Sequence, residues 1–223
     1  MLNSIAIIPD GNRRYAKDKG LSLREVYSKS TDKILDLVRW SKEENIKILT
    51  IWGFSTENWN RSEKEVRLVF ELFGEKMIQA LSSKELYEEG AKIRIIGNLS
   101  EMPKKVRELA KKLEEETKNN KKINLNILIN YGGRSDILQA VNKILSEKKK
   151  KVDESEFMKR LIVDEEPDLI IRTSGEMRTS GLLAFQSTYS ELYFTKKYFP
   201  EFTKRDFLKA VEEFNRRKRR FGK

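Results

Sequence analysis

The chain has 223 residues, 36% of them charged and 38% hydrophobic, and its 46 Lys and Arg against 35 Asp and Glu leave a net charge of +11. It contains no cysteine and no histidine, which excludes disulfides, thiolate catalysis, Cys- or His-ligated zinc and every triad built on imidazole. Chemistry must run on carboxylates, amides, hydroxyls, Tyr, Lys or Arg; a metal must sit on oxygen, which suits Mg²⁺; and the positive excess favours an anionic partner, whether nucleic acid, membrane surface or phosphorylated substrate.

Ser4–Ile8 reads as a short buried strand ending in Pro9-Asp10-Gly11-Asn12, with a basic helix over Arg13–Lys19 behind it. Ser22–Glu44 is a long helix with Ile34, Leu35, Leu37, Val38 and Ser41 on one side, and Ile46–Phe54 is a buried strand. Ser62 and Glu65 have the spacing of a capping box, and the helix behind them carries Val66, Val69, Phe70, Phe73, Met77 and Leu81 at helical intervals. A strand over Ala91–Ile96 follows, then a helix over Pro103–Thr117 with proline at its first turn, a strand over Asn124–Asn130, and a helix from Gly132-Gly133 to about Leu145. Lys148–Lys151 reads as a solvated turn, Asp168–Ile171 as a strand ending at Arg172, Leu182–Phe185 as another short strand, and Thr203 as the cap of a final basic helix.

This alternation predicts a single α/β domain over residues 1–223, with a mostly parallel central sheet flanked by helices. The apolar runs fall far short of the roughly 18 residues a membrane span needs, and a strand beginning almost at Met1 leaves no room for a secretory signal. A cytoplasmic protein is expected, and its charge is compatible with peripheral contact at an anionic membrane surface.

In parallel sheets, ligands bind beyond the carboxyl ends of the strands, and three unusual segments fall there. In Pro9–Tyr15, a tight turn aims the N–H groups of a helix at whatever lies in front; a diphosphate suits that position, and Arg14 adds a bidentate contact. An aspartate beside a diphosphate makes sense with Mg²⁺ between them; an isolated Asp-Gly-Asn is also an ordinary turn and cap. In Phe54–Arg61, Ser55, Thr56, Glu57, Asn58, Trp59 and Arg61 crowd one strand-to-helix connection, more than a capping loop requires. In Ile171–Ser180, Arg172 and Arg178 with Thr179 and Ser180 form a second candidate anion pocket. Arg172 closes an apolar strand and needs either a ligand or an acidic partner. Downstream, Glu191 offers a further carboxylate.

Five motifs stand in order, D-G-N-R-R-Y-A, F-S-T-E-N-W-x-R, N-Y-G-G-R, I-R-T-S-G-E-x-R and Y-S-E-L-Y-F. With them the chain resembles the cis-prenyltransferase family from about Ile5 to Gly222. The resemblance implies an Mg²⁺-dependent enzyme that condenses isopentenyl diphosphate onto an allylic diphosphate. It gives Asp10 to the metal and the leaving diphosphate, and Gly11, Asn12, Arg13, Arg14 and Tyr15 to the allylic headgroup. Arg172, Arg178 and Ser180 fall to isopentenyl diphosphate, and Glu191 shares the metal. Asn58 stands where the family places a candidate for proton removal, while Ser55, Trp59 and Arg61 shape the reacting centre; the departing diphosphate is the alternative proton acceptor. Trp59 or Phe54 offers an aromatic face to a developing carbocation. The Val66–Leu81 stripe with the strand Ile48–Phe54 is expected either to line a channel for the growing chain or to be ordinary core. Gly53 near its mouth leaves room, so that Gly53→Leu is expected to shorten products.

The chain departs from the family pattern at Tyr15, where most relatives carry Trp; at Tyr27, which stands for a His near the isopentenyl diphosphate site; and at Leu23, which replaces an arginine with Arg24 one step away. A non-catalytic subunit of a two-chain enzyme is therefore the alternative. A homodimer is the default assembly and a heteromer the second, the terminal Arg220-Phe221-Gly222 resembling a tail that relatives use across subunits. A nucleic-acid reading of the basic segments Lys148–Lys151 and Arg216–Arg220 needs interleaved aromatics; Phe214 fits the core stripe instead, and no nucleic acid is expected.

Overall fold

The protein is described here by a computed structural model covering residues 1–218, so the Arg220-Phe221-Gly222 tail lies outside the described residues. The elements in chain order are β1 (Ser4–Ile8), α1 (Asn12–Lys19), α2 (Leu23–Glu43), β2 (Ile48–Ser55), α3 (Glu63–Ser82), α4 (Lys84–Glu89), β3 (Ala91–Ile96), α5 (Lys104–Thr117), β4 (Ile123–Tyr131), α6 (Gly133–Ser146), α7 (Glu154–Met158), β5 (Leu169–Arg172), β6 (Glu191–Phe194) and α8 (Lys204–Arg216). The strands form one six-stranded sheet in the order β3-β4-β2-β1-β5-β6. Every pairing is parallel, a stricter arrangement than the mostly parallel sheet expected.

The central strands are apolar throughout because both their faces are covered. Ile5, Ile7, Leu49, Ile51, Ile93, Ile95 and Leu125 meet residues of α2, α3, α5 and α8 in the larger core. Ala6, Ile8, Trp52, Leu128 and Ile170 meet Val163, Leu182 and Leu183 on the other face. Leu182–Phe185 is thus not a strand: it is a turn that plugs the second face, and Leu183 has a φ of 46°, outside the β region. The sixth strand is Glu191–Phe194 at the sheet edge, half-buried along its length.

Helix starts follow local chemistry. Ser22 caps α2 in a full capping box with Glu25. At α3 only half of the expected box forms. Ser62 Oγ accepts from Glu65 N at 3.3 Å, but the Glu65 side chain, almost fully buried, turns away to Tyr27 and Arg61. Lys148–Lys151 is exposed, as expected, and Phe214 is buried in the core.

After β1 the chain adds β2, crosses to the edge strand β3, fills the place between them with β4, then returns past β1 to add β5 and β6. Strand order reverses between β1 and β5, where Ile8 pairs with Arg172. That switch point opens a crevice at the carboxyl ends of the strands, and Asp10 and Arg172 stand in it. Among the described residues no helix is long and apolar enough to cross a membrane.

Candidate active site

A cleft of about 1190 Å³ opens at the switch point. Its polar end is lined by Asp10, Gly11, Asn12, Arg13, Arg14, Arg172, Glu176, Arg178 and Ser180; Tyr27, Ser55, Glu57, Asn58 and Arg61 stand at its side. Beyond them Ile34 of α2, Ile51 and Gly53 of β2, Val69, Leu72 and Phe73 of α3, and Ile127 of β4 make an apolar bay.

The loop after β1 is fixed to the loop after β5. Asp10 N donates to Thr173 Oγ1 at 2.9 Å, and that hydroxyl donates back to Asp10 O at 2.8 Å. Gly11 has a φ of 98°, and a Cβ there would lie 2.6 Å from Ser174 Cβ and from the Tyr198 ring, so only glycine fits. Asp10 Oδ1 accepts from Gly11 N at 2.6 Å and Oδ2 from Arg172 Nη2 at 2.8 Å. Burial pushes the Asp10 carboxyl up, but Arg172, the Gly11 N–H and Arg14 outweigh it and hold it below the ordinary range.

Arg172 is buried, donates through Nη1 to Ser180 Oγ at 2.8 Å, and keeps a buried Nε with no partner among the described residues. That Nε is enclosed, and Arg172 is held through its Nη groups, on Asp10 and Ser180, where it borders the cleft. Arg14 Nη1 and Arg178 Nη1 reach the two oxygens of Glu176 at 3.0 and 2.6 Å, and Arg14 Nη2 also lies 3.6 Å from Asp10. Asn12 is held by Pro9 O and the Ser30 hydroxyl.

Glu65 anchors the other side of the mouth. Tyr27 Oη donates to its Oε1 at 2.8 Å, Arg61 Nη1 donates to the same oxygen at 3.1 Å, and Arg13 Nε lies 3.7 Å from Oε2. Burial, reinforced by Glu65, pushes the Tyr27 phenol far up against Arg61 and Arg13, so it stays a neutral donor. Asn58 Oδ1 is taken by Ser55 N at 3.0 Å, which leaves its Nδ2 group, a donor, as the open end of the amide.

Several expected residues stand behind the cleft. Trp59 packs edge-on against Phe54 and against Phe70, and its Nε1 donates to Asn130 Oδ1 at 2.8 Å. It lines a second groove with Phe70, Met102 and Val106, and Phe54 is core, so neither offers its face to the cleft; Tyr27, Trp52, Phe73 and Phe199 are the aromatics among the described residues that line it. Thr56 packs against the backbone of Gly132, where a Cβ would come 2.4 Å from its hydroxyl. Tyr15 is buried under Lys29 and Tyr198, Thr179 supports the Leu182 turn, and Arg24 is engaged by Glu71 and Glu75 outside the cleft.

Glu191 is not brought to Asp10 within the chain. It enters the sheet at the level of Leu169 and Ile5, the amino end, and pairs with Arg217 at 2.8 Å, whereas Asp10 follows the carboxyl end of β1. Among the described residues no three acidic side chains gather as a metal cage. A divalent cation at Asp10 would therefore take its other oxygens from phosphates and water, the arrangement Mg²⁺ favours. The donor set fits such an ion. The sequence assigned Glu65 to a helix cap and gave Arg134 and Glu176 no site role, yet all three lie in or against this cleft; the last two fall inside the N-Y-G-G-R and I-R-T-S-G-E-x-R motifs, and only Glu65 was hidden, by its spacing from Ser62.

The profile of the family described as "Putative undecaprenyl diphosphate synthase" matches residues 8–222. The chain belongs to this family of cis-prenyltransferases. Among its relatives, an isoprenyl transferase of Thermotoga maritima is 44% identical over 224 residues, covering 98% of this chain and 95% of its own. A tritrans,polycis-undecaprenyl-diphosphate synthase (geranylgeranyl-diphosphate specific) of Thermoplasma volcanium is 42% identical over 227 residues, covering 98% and 88%. The crystal structure of lavandulyl diphosphate synthase from Lavandula x intermedia, in complex with dimethylallyl diphosphate, superposes with a TM-score of 0.92 at 30% identity, over 99% of this chain and 98% of that one. The fold is thus that of the cis-prenyltransferases, with their prenyl diphosphate substrates.

Proposed function

We propose that the protein condenses isopentenyl diphosphate onto an allylic diphosphate primer, farnesyl or geranylgeranyl diphosphate, and repeats the step to make a long-chain polyprenyl diphosphate, the precursor of a lipid carrier. One observation carries the reading. The cleft joins Arg13, Arg14, Arg172 and Arg178, with Asp10 among them, at the switch point to an apolar bay between α2 and α3, matching a diphosphate and the hydrocarbon attached to it. The name of the Thermoplasma volcanium relative makes geranylgeranyl diphosphate the first primer to test.

Each cycle breaks the allylic C–O bond, forms one C–C bond to isopentenyl diphosphate, and loses one proton as inorganic diphosphate departs. Asp10 would hold Mg²⁺, which would neutralise charge on the leaving diphosphate. Arg14 and the backbone N–H groups opening α1 hold that leaving group, and Arg13 borders it. Arg172, Arg178 and Ser180, which line the same end of the cleft, hold isopentenyl diphosphate. Asn58 presents a donor, so it orients a diphosphate oxygen, and the proton goes to the departing diphosphate. Tyr27, held neutral, donates a hydrogen bond where an imidazole would exchange a proton.

The same proposal includes a cytoplasmic homodimer. Leu138, Val141 and Leu145 form an exposed apolar stripe on α6, an outward face that a second copy would cover.

The test incubates the purified chain with Mg²⁺, radiolabelled isopentenyl diphosphate and each primer, and sizes the extracted lipids. A ladder of long products that disappears in Asp10→Ala supports the proposal. Folded protein that binds isopentenyl diphosphate but makes no product with any primer would replace it with the subunit of a two-chain enzyme.

A further inference from the structure

The charged floor of the cleft is a chain of alternating sign: Arg178, Glu176, Arg14, Asp10, Arg172. Glu176 is its second link, between Arg178 and Arg14. One carboxylate oxygen faces Arg14 at 3.0 Å and the other faces Arg178 at 2.6 Å. Its backbone is fixed, because the preceding Ser174 and Gly175 are both left-handed, with φ of 74° and 82°, and their N–H groups are bound to Lys197 O at 2.7 Å and Thr195 O at 2.8 Å. The turn therefore aims the Glu176 side chain at the two arginines, and the side chain itself is 29% exposed.

In the function proposed above, Arg14 serves the allylic diphosphate and Arg178 serves isopentenyl diphosphate, so one carboxylate is shared between two substrate sites. We propose that Glu176 is a positioning residue that couples the two sites. It holds both guanidiniums in place until a diphosphate arrives. A diphosphate on either arginine meets the carboxylate across one guanidinium, and the like charges repel. Each arginine holds one oxygen of the same carboxylate, so a rotation that takes it off one arginine also disturbs its contact with the other. Displacing it releases Arg178 and the Nη1 group of Arg14, whose Nη2 stays on Ser174 Oγ and beside Asp10. The first ligand bears that cost and the second finds its arginine released, which is positive coupling, the same in either order of binding.

The inference rests on the assignment of Arg14 and Arg178 to different substrates, and the experiment separates the two. With Mg²⁺ constant, isothermal titration gives the affinity for isopentenyl diphosphate with and without a saturating allylic analogue whose bridging oxygen is replaced by sulfur, so that no turnover occurs. The wild type is expected to bind isopentenyl diphosphate at least about fivefold tighter with the analogue present. In Glu176→Gln, each ligand alone should bind tighter than to the wild type, and the enhancement by the other should shrink towards unity. A merely structural Glu176 would instead weaken both affinities and leave their ratio unmoved. An enhancement equal in wild type and Glu176→Gln, or none in wild type, overturns the coupling while leaving the proposed function standing. A wild type that binds neither diphosphate overturns both.

Discussion

At Asp10 the residue-scale energetics are dominated by Arg172, whose side chain is only 6% exposed against 29% for the aspartate. Removing Asp10 leaves that guanidinium without its counter-charge. We predict that Asp10→Ala lowers activity by about 100-fold or more and stability by about 1–3 kcal/mol. Inorganic diphosphate should raise the melting temperature of the variant more than that of the wild type, because it supplies the missing anion; equal shifts would detach Arg172 from diphosphate binding. The depressed carboxyl of Asp10 fixes the sign of its pH dependence. Its contribution to stability is present above the ordinary aspartate value near 3.9 and fades only as pH falls through the lower folded value. Tyr27 behaves oppositely, its proton held more tightly than usual. The wild type has no imidazole anywhere, whereas Tyr27→His introduces one with an ordinary pKa of about 6.5. A step near that pH in kcat/KM should appear in the variant alone; coincident profiles would place Tyr27 outside the reacting network.

At the scale of elements, β2 is where the sheet gives way to the cleft. Its register against β4 shifts between Trp52 and Phe54, a bulge at Gly53 of the kind that re-aims strands beside sites. A Cβ on Gly53 would lie 3.3 Å from Phe73 Cζ and 3.6 Å from Ile127 Cγ2, both residues of the apolar bay. Gly53→Leu should therefore shift the product ladder to shorter chains while leaving the first condensation within a few-fold of wild type; an unchanged ladder would show that the chain grows past another wall. Far from the cleft, α8 starts on a reciprocal cap in which Asp206 Oδ2 accepts from Thr203 N at 3.0 Å and from Lys197 Nζ at 2.9 Å. Asp206→Ala should cost about 1 kcal/mol, a fall of roughly 2–4 °C in Tm for a chain of this size, read by calorimetry.

For the whole molecule, α6 presents Leu138 and Leu145, 63% and 65% exposed, on one outward stripe. Isolated apolar residues need no explanation, but three at helical spacing on one helix form a patch. In the proposed homodimer, Leu138→Glu with Leu145→Glu buries like charges against each other. Light scattering should find wild-type mass at twice that of the chain and the variant at single-chain mass; a monomeric wild type would refute the homodimer.

Much of this architecture was legible in the sequence because it is local. Ile5, Ala6, Ile7 and Ile8 form an unbroken apolar run, which only a doubly covered strand can bury, and Ser22, Ser62 and Thr203 announce helix starts through hydrogen bonds that reach three residues. The glycines and charges of Pro9–Tyr15 and Ile171–Ser180 sit at strand ends, where a parallel sheet places its crevice. The places where local reading and structure differ share one physical cause. Leu182–Phe185 and Glu191–Phe194 are equally short and apolar, and only the uncovered second face of the sheet decides that the first plugs it and the second extends it. Glu65 has capping-box spacing, yet a buried partner from α2 outcompetes the backbone for its carboxylate. Trp59 belongs to a site motif but faces a different groove, and Glu191 stands at the far end of its strand. The sequence by itself determined which groups are available: an oxygen-only, arginine-rich, imidazole-free chemistry on an α/β scaffold. The tertiary structure alone decided which of them meet, because the reversal of strand order at β1 brings Asp10, Arg14 and Arg172 together across more than 150 residues of chain, a proximity that no local spacing encodes.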